Sequence, residues 1–189
     1  MTTTDIKVHQ QTSPYDSPWS FSERVGVLIW HICWTLFCSW TPKPLNSWRL
    51  LWLRLFGCKI SGKPFVHQRA RIQIPWNLSL GDRACLGDRA NAYSLGLIEI
   101  KNAATVAQEA YLCTGTHDFS KPNLPLVTAK IIIEEDAFIG ARAFIIPGIK
   151  IGKRVVVGAC SVVTKNLPEN TICVGQPCQP IKHRPTNDS

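Results

Sequence analysis

The sequence predicts a mainly β protein: a parallel β-helix whose three short faces close into a triangular prism, with an N-terminal helical segment and one excursion loop. Two observations carry this. From residue 133 an aliphatic side chain recurs at every sixth position without a miss, at Ile133, Ile139, Ile145, Ile151, Val157 and Val163. The position four after each is small or apolar: Ala137, Ala143, Ile149, Val155, Ser161 and Leu167. A period of six fits neither the helical 3.6 nor the simple strand period of 2. It is the repeat of a coil in which each hexad forms one face. Two inward residues per hexad, one bulky and one usually smaller, fill a narrow prism without voids.

In chain order, residues 1–20 read as a flexible arm, polar and interrupted by Pro14 and Pro18. They contain no apolar core of a secretory signal. Residues 21–57 are helical in pattern and carry Trp30, Trp34, Trp40, Trp48 and Trp52. Val25 to Trp40 is almost wholly apolar, but its 16 residues, closed by Pro42 and Pro44, fall short of the roughly 20 a spanning helix needs. Ser47 to Phe56 mixes Trp48, Leu51 and Trp52 with Arg49 and Arg54. Such a pattern suits peripheral contact of residues 25–56 with a membrane, indoles at headgroup level and arginines on lipid phosphates. It equally suits two helices packed on the prism or on a neighbouring subunit.

Residues 58–168 form the expected prism, and 169–189 a C-terminal segment and tail. Before residue 118 the register breaks more often. Ile74, Leu80 and Leu86 keep one phase, with Gly81-Asp82 and Gly87-Asp88 at corners where left-handed backbone angles are tolerated. The phase slips by two near Leu95-Gly96-Leu97 and resumes at Ile100, Val106 and Leu112. Residues 118–132, with Pro122 and Pro125, interrupt the repeat as a loop. Long loops on rigid scaffolds tend to carry function.

The formal charge of +8 points to an anionic partner. Nucleic acid fits poorly, because the basic residues are dispersed and the tryptophans cluster in an apolar zone instead of alternating with a basic stripe. Eight cysteines lie mostly beside apolar residues, with no C-x-x-C pair. They read as small buried thiols in a reducing cytosol, so the expected location is cytoplasmic.

His117 stands where the loop leaves the prism. A neutral imidazole, with an ordinary pKa near 6.5, can take a proton from a hydroxyl as it attacks an acyl carbon. Asp118 or a backbone carbonyl could orient the ring. A zinc lyase on the same fold would need three histidines, and the repeat holds only His67 and His117, so no metal is expected. Cys113 lies near His117, but direct transfer needs no thiol nucleophile.

Three runs carry a resemblance: Ile139-Gly140-Ala141-Arg142 through Ile145-Ile146-Pro147-Gly148, then Val157 through Lys165, then Val174-Gly175-Gln176-Pro177-Cys178. They resemble the hexapeptide-repeat O-acetyltransferases, left-handed β-helices, in the galactoside, maltose and nodulation branch. Pro42 through Arg49, Phe56 through Ile60 and Pro75 through Leu78 are similar to the colanic-acid-biosynthesis acetyltransferases. The resemblance implies a homotrimer with acetyl-coenzyme A (acetyl-CoA) between neighbouring prisms and a saccharide hydroxyl as acceptor. A small non-sugar acceptor or a non-catalytic scaffold are the alternatives. It implies His117 as the base and Asn91 near the acceptor; Asp118, next to His117, is also expected on the acceptor side. It places the Ala141 N–H toward the thioester oxygen and Ala159 along the pantetheine arm. Thr164 and Lys165 fall at the nucleotide end and Lys182 at the phosphates. Gln179 departs from the pattern where an arginine is expected.

Overall fold

The computed structural model describes residues 6–11, 13 and 16–185. Part of the arm expected over 1–20, and the last four residues of the tail, lie outside them. The chain forms a left-handed parallel β-helix of about six turns, preceded by two helices. The first face stacks Lys59–Ile60, Leu78–Leu80, Ile98–Ile100, Ile131–Ile133 and Lys150–Ile151. The second stacks Phe65–Val66, Cys85–Leu86, Thr105–Val106, Phe138–Ile139, Val156–Val157 and Thr171–Gly175, and Cys178–His183 closes it antiparallel. The third stacks Arg71–Ile72, Asn91–Tyr93, Tyr111–Cys113, Phe144–Ile145 and Val162–Val163.

The hexad logic holds inside the prism. Ile133, Ile139, Ile145, Ile151, Val157 and Val163 are fully buried, and so are the smaller partners Ala137, Ala143, Val155 and Ser161. Each coil hydrogen-bonds to the next, as in Gly140 N–H to the Val157 carbonyl at 2.8 Å. Burying a ladder of aliphatic chains at roughly 1.5–3 kcal/mol apiece supplies most of the drive to coil.

The three edges are not alike. Nine non-glycine residues with positive φ, among them Arg83, Arg89, Asp136, Arg142 and Cys160, make the tight turns of the first and second edges. The left-handed position therefore falls one residue after each Gly-Asp pair, not on it. Gly81 serves close approach instead: a Cβ there would lie 2.5 Å from the Asn102 backbone nitrogen. Every irregularity falls on the third edge, between the third face and the first. Ile60, Leu80 and Ile100 stack twenty residues apart, whereas Ile133 and Ile151 stack eighteen apart. The two-residue slip is thus a wider third edge in the early coils, built partly from a 3-10 turn at Pro75–Asn77.

The two helices are α1 (Phe21–Phe37) and α2 (Asn46–Leu55). Ser20 and Glu23 form a capping box that starts α1. Trp30 and Trp34 are buried against the prism, and the Trp30 indole donates to the Ile72 carbonyl at 2.8 Å. Arg49 is fully buried. Its guanidinium donates to the carbonyls of Val66, Pro42 and Lys43 and to the Thr41 hydroxyl. It cannot meet lipid phosphates as its sequence context suggests, because these oxygens already satisfy it and tie the inter-helix linker to the first coil. The segment does pack on the prism, yet it leaves a second apolar face outward.

The arm is not free along its length. Ile6–Val8 pairs antiparallel with Leu126–Ala129. All eight cysteines are free; Cys38, Cys58, Cys173 and Cys178 are buried, Cys33, Cys85 and Cys113 half-buried, and Cys160 exposed.

Candidate active site

His117 ends the first strand of a hairpin thrown out from the third edge. Gly115–His117 pairs with Leu126–Ala129, and the prism resumes at Ile131. The excursion is therefore a hairpin bounded by Thr114 and Lys130, and the last residues of the expected 118–132 loop belong to the first face. The Thr114 hydroxyl anchors its base, donating to the Tyr93 carbonyl and accepting from Gly96 N–H. A Cβ on Gly115 would press on Leu95 at 2.9 Å, so glycine lets the hairpin lie close over the edge.

At the hairpin tip His117 Nδ1 lies 2.7 Å from the Leu124 carbonyl oxygen. A carbonyl only accepts, so Nδ1 carries the proton, and in the neutral ring Nε2 keeps a free lone pair. That is the tautomer a general base needs. Leu124 has φ +43, the one positive-φ non-glycine residue outside the prism corners among the described residues. A bulky residue held in the left-handed region is stored strain, and here it aims a carbonyl at the imidazole. Asp118 does not orient the ring. Its carboxylate accepts from the backbone N–H and the hydroxyl of Ser120, which hold it below the usual carboxylate range. It shapes the loop that presents Leu124.

The arm clamps this hairpin from outside. His9 N–H donates to the Leu126 carbonyl, the Gln11 side chain accepts from Leu126 N–H, and Asn123 donates to the Gln11 carbonyl. His9 is buried, its Nε2 3.1 Å from the Thr128 hydroxyl and its ring 5.1 Å from Trp19. Burial and Lys7 push the His9 pKa down, with Glu23 opposing. Leu124, His9 and Gln11 escape sequence reasoning because their roles depend on pairings more than a hundred residues apart or on backbone conformation.

Asn91 opens a strand of the third face, beside Arg71 and Tyr111 in the ladder. Its side chain makes no hydrogen bond among the described residues. Tyr93, Tyr111 and Phe144 form a run of ring contacts across the same face, with centroids 5.9 and 5.1 Å apart. Cys113 and its thiol are held neutral by burial, which raises the pKa.

The other candidates divide between two edges. Thr164 and Lys165 turn the third edge two coils beyond the His117 hairpin, both exposed. At the ~4.8 Å strand spacing that is about 10 Å along the axis. Ala141 and Ala159 occupy equivalent turn positions on the second edge, one coil apart. Their backbone N–H groups, like that of Gln108 before them, donate no hydrogen bond among the described residues. One chain thus separates His117, Thr164 and Lys165 from Ala141 and Ala159 by the width of the third face. Lys182 lies opposite Ile172, at the start of the last coil's second face, and Gln179 opposite Val174. Neither is brought to Lys165.

Stacked hexads with one outlying hairpin define the hexapeptide-repeat fold class. The pattern described as the hexapeptide repeat of succinyl-transferase matches residues 130–165. WcaF of Escherichia coli, provisionally named a colanic acid biosynthesis acetyltransferase, is 37% identical over 177 residues, covering 93% of this chain and 97% of that protein. A maltose O-acetyltransferase structure from Clostridium difficile superposes with a TM-score of 0.77 at 27% identity, covering 88% and 90% of the two chains. The hexapeptide-repeat acetyltransferase VCA0836 of Vibrio cholerae, complexed with acetyl-CoA, gives 0.75 at 19% identity over 91% and 94%. The chain belongs to the hexapeptide-repeat acetyltransferase family and is an acyltransferase.

Proposed function

We propose that the protein transfers the acetyl group of acetyl-CoA directly to a saccharide hydroxyl, with His117 as general base, in a homotrimer. The observation that carries this is the contact of His117 Nδ1 with the Leu124 carbonyl, which in the neutral ring makes Nε2 the acceptor on an exposed hairpin. A sugar hydroxyl is a poor nucleophile until a base removes its proton. As Nε2 takes that proton, the oxygen attacks the thioester carbon and a tetrahedral oxyanion forms. Collapse expels the coenzyme thiolate, which recovers the proton. A fixed backbone N–H is the economical way to stabilise the oxyanion, and Ala141 offers one. Asn91 is the acceptor contact in this reading.

The division of candidates between two edges supports the oligomer. Along the axis, the third edge offers His117 and then Thr164 and Lys165. The second edge offers Ala141 and then Ala159. Set side by side, the third edge of one prism and the second edge of its neighbour present both series in the same order. Acetyl-CoA lying between them would meet the base at its thioester end and Thr164 and Lys165 at its nucleotide end. Lys182 is assigned to the phosphates with less support, since it sits a face away.

The saccharide class is inferred from relatives named for colanic acid and for maltose. An exopolysaccharide unit or lipid-linked sugar precursor fits a cytoplasmic enzyme working beside the inner membrane. A panel of sugars and nucleotide sugars incubated with acetyl-CoA tests this. The expected result is an alkali-labile O-acetyl ester on a sugar, seen as a gain of one acetyl mass. Acetylation only of amines or non-sugar hydroxyls would contradict it.

A further inference from the structure

The whole net charge of this protein resides in one segment. Residues 24–81 hold eight lysines and arginines and no aspartate or glutamate, and the rest of the chain balances to zero. Over the later coils the charges neutralise one another locally: Glu99 with Lys101 and Lys130, Glu134 with Lys150, Glu135 with Lys153. In the basic segment Arg49 is buried and Arg69 pairs with Asp88. Arg24, Lys43, Arg54, Lys59, Lys63 and Arg71 make no ion pair among the described residues, and all six are exposed.

The same segment carries an uncovered apolar stripe. Helix α1 buries Trp30 and Trp34 on the prism, so its opposite side should be polar if it faced only water. Instead Phe21, Leu28, Ile29, Ile32 and Leu36 point outward, 79, 60, 47, 49 and 59% exposed. Their spacing is that of a single helical face. Trp40 extends the stripe past the helix end at 70% exposure, and Leu51 and Leu55 add to it from α2. The indole N–H groups of Trp40 and Trp48 already donate to the Leu36 and Phe37 carbonyls. Their rings can therefore leave water without stranding a donor.

We propose that α1 and α2 form a docking surface for an anionic lipid bilayer, with α1 lying in the plane of the interface. The charge decides the occupant. Apolar side chains enter the acyl boundary while unpaired cations meet phosphate headgroups, the two terms that set peripheral binding. A second copy of the same patch would oppose like charges, with Glu23 at the start of α1 as the one acid on either helix among the described residues. Spanning is excluded for these helices, since none among the described residues is long and apolar enough to cross a membrane. The inference stands independently of the acceptor chemistry. It would hold the prism beside substrates that carry a lipid tail.

Full-length protein sedimented with vesicles tests it. Phosphatidylcholine vesicles containing about one-quarter phosphatidylglycerol should carry down at least ~10-fold more protein than phosphatidylcholine alone, and added salt should release it. The double substitution Ile32→Glu with Leu36→Glu should abolish sedimentation while keeping the oligomeric size and the thermal midpoint. Failure to bind either vesicle, equal binding to both, or full binding by the double variant would overturn the proposal. So would dissociation of the oligomer by that variant, which would give the stripe to a neighbouring copy.

Discussion

The His117 imidazole is held from within its own hairpin, its Nδ1 2.7 Å from the carbonyl of Leu124, a residue with φ +43. An imidazole fixed by a backbone carbonyl gains orientation and tautomer without a second ionisable group. Its geometry then depends on whatever holds the hairpin tip, and in this chain that includes the N-terminal arm.

Removing the arm should therefore reach the chemistry. Deleting residues 1–11, or replacing Gln11 by Ala, takes away the acceptor for Leu126 N–H and, in the deletion, the carbonyl that receives Asn123. The expected outcome is a fall in kcat of about 10- to 100-fold, the scale of an ångström-level misplacement, with KM for acetyl-CoA little changed. Steady-state kinetics separates the two. The thermal midpoint should stay at the wild-type value, because partial unfolding also lowers apparent kcat at constant KM.

The arm should also release on acidification. The His9 pKa lies below its ordinary value in the folded protein, mainly because burial disfavours the cation. Above pH ~6.5 both bound and released arms are neutral, and the contact is intact. As pH falls through the depressed value, the released arm keeps the proton more readily and the paired state loses stability. Protection factors at residues 6–11, taken relative to the intrinsic exchange rate at each pH, should thus fall as the pH drops below about 6.5. The His67 pKa is also lowered, chiefly by burial, but among the described residues His67 does not touch the arm, so His9→Gln should flatten the profile and His67→Gln should not.

The expectations from sequence succeeded where a local period reports the fold. Ile139 and Ala143 face inward because one hexad implies its neighbours, and the break read after His117 fell within the hairpin, whose first strand already begins at Gly115. They failed where meaning is set by distant partners. Arg49 looks like a surface cation in a Trp-rich helix, and only the first coil's carbonyls reveal it as buried. The arm looks polar and unstructured, and only Val127 and Thr128 give Lys7 and Val8 a strand to join. Turn chemistry misled at Gly81, where coil-to-coil approach, not a left-handed angle, requires glycine.

That close approach makes the glycine ladder a stability determinant. A Cβ at Gly140 would lie 2.6 Å from both the Ala159 nitrogen and the Val157 carbonyl oxygen. Gly140→Ala should lower the thermal midpoint by prising two coils apart, and should raise KM for acetyl-CoA through displacement of Ala141 and Ala159. For comparison, Ile139→Ala in the fully buried core should cost about 2–5 kcal/mol by denaturant unfolding.

Thiol labelling gives an independent check of packing. Burial pushes the Cys38 and Cys58 thiols up to about 12, so neither forms thiolate near neutral pH. Cys160 sits exposed on the second edge. A thiolate-selective reagent should modify Cys160 in native protein and reach Cys38 and Cys58 only after denaturation.

If each site joins two copies, inactive variants should rescue one another. His117→Ala lacks the proposed base, and Ala159→Glu places bulk and negative charge on the edge proposed to hold the coenzyme. Random mixing into trimers at equal amounts leaves about one site in four with an intact half from each neighbour. Refolded mixtures should regain about a quarter of wild-type activity. A site contained in one chain would regain none.

The most direct test of the whole account is the acetyl-transfer rate of His117→Ala, measured on an acceptor of the native enzyme with saturating acetyl-CoA. Loss of the general base should reduce kcat by about 10²- to 10⁴-fold, while coenzyme affinity, oligomeric size and thermal midpoint stay at wild-type values. Full transfer activity in that variant would contradict the central claim.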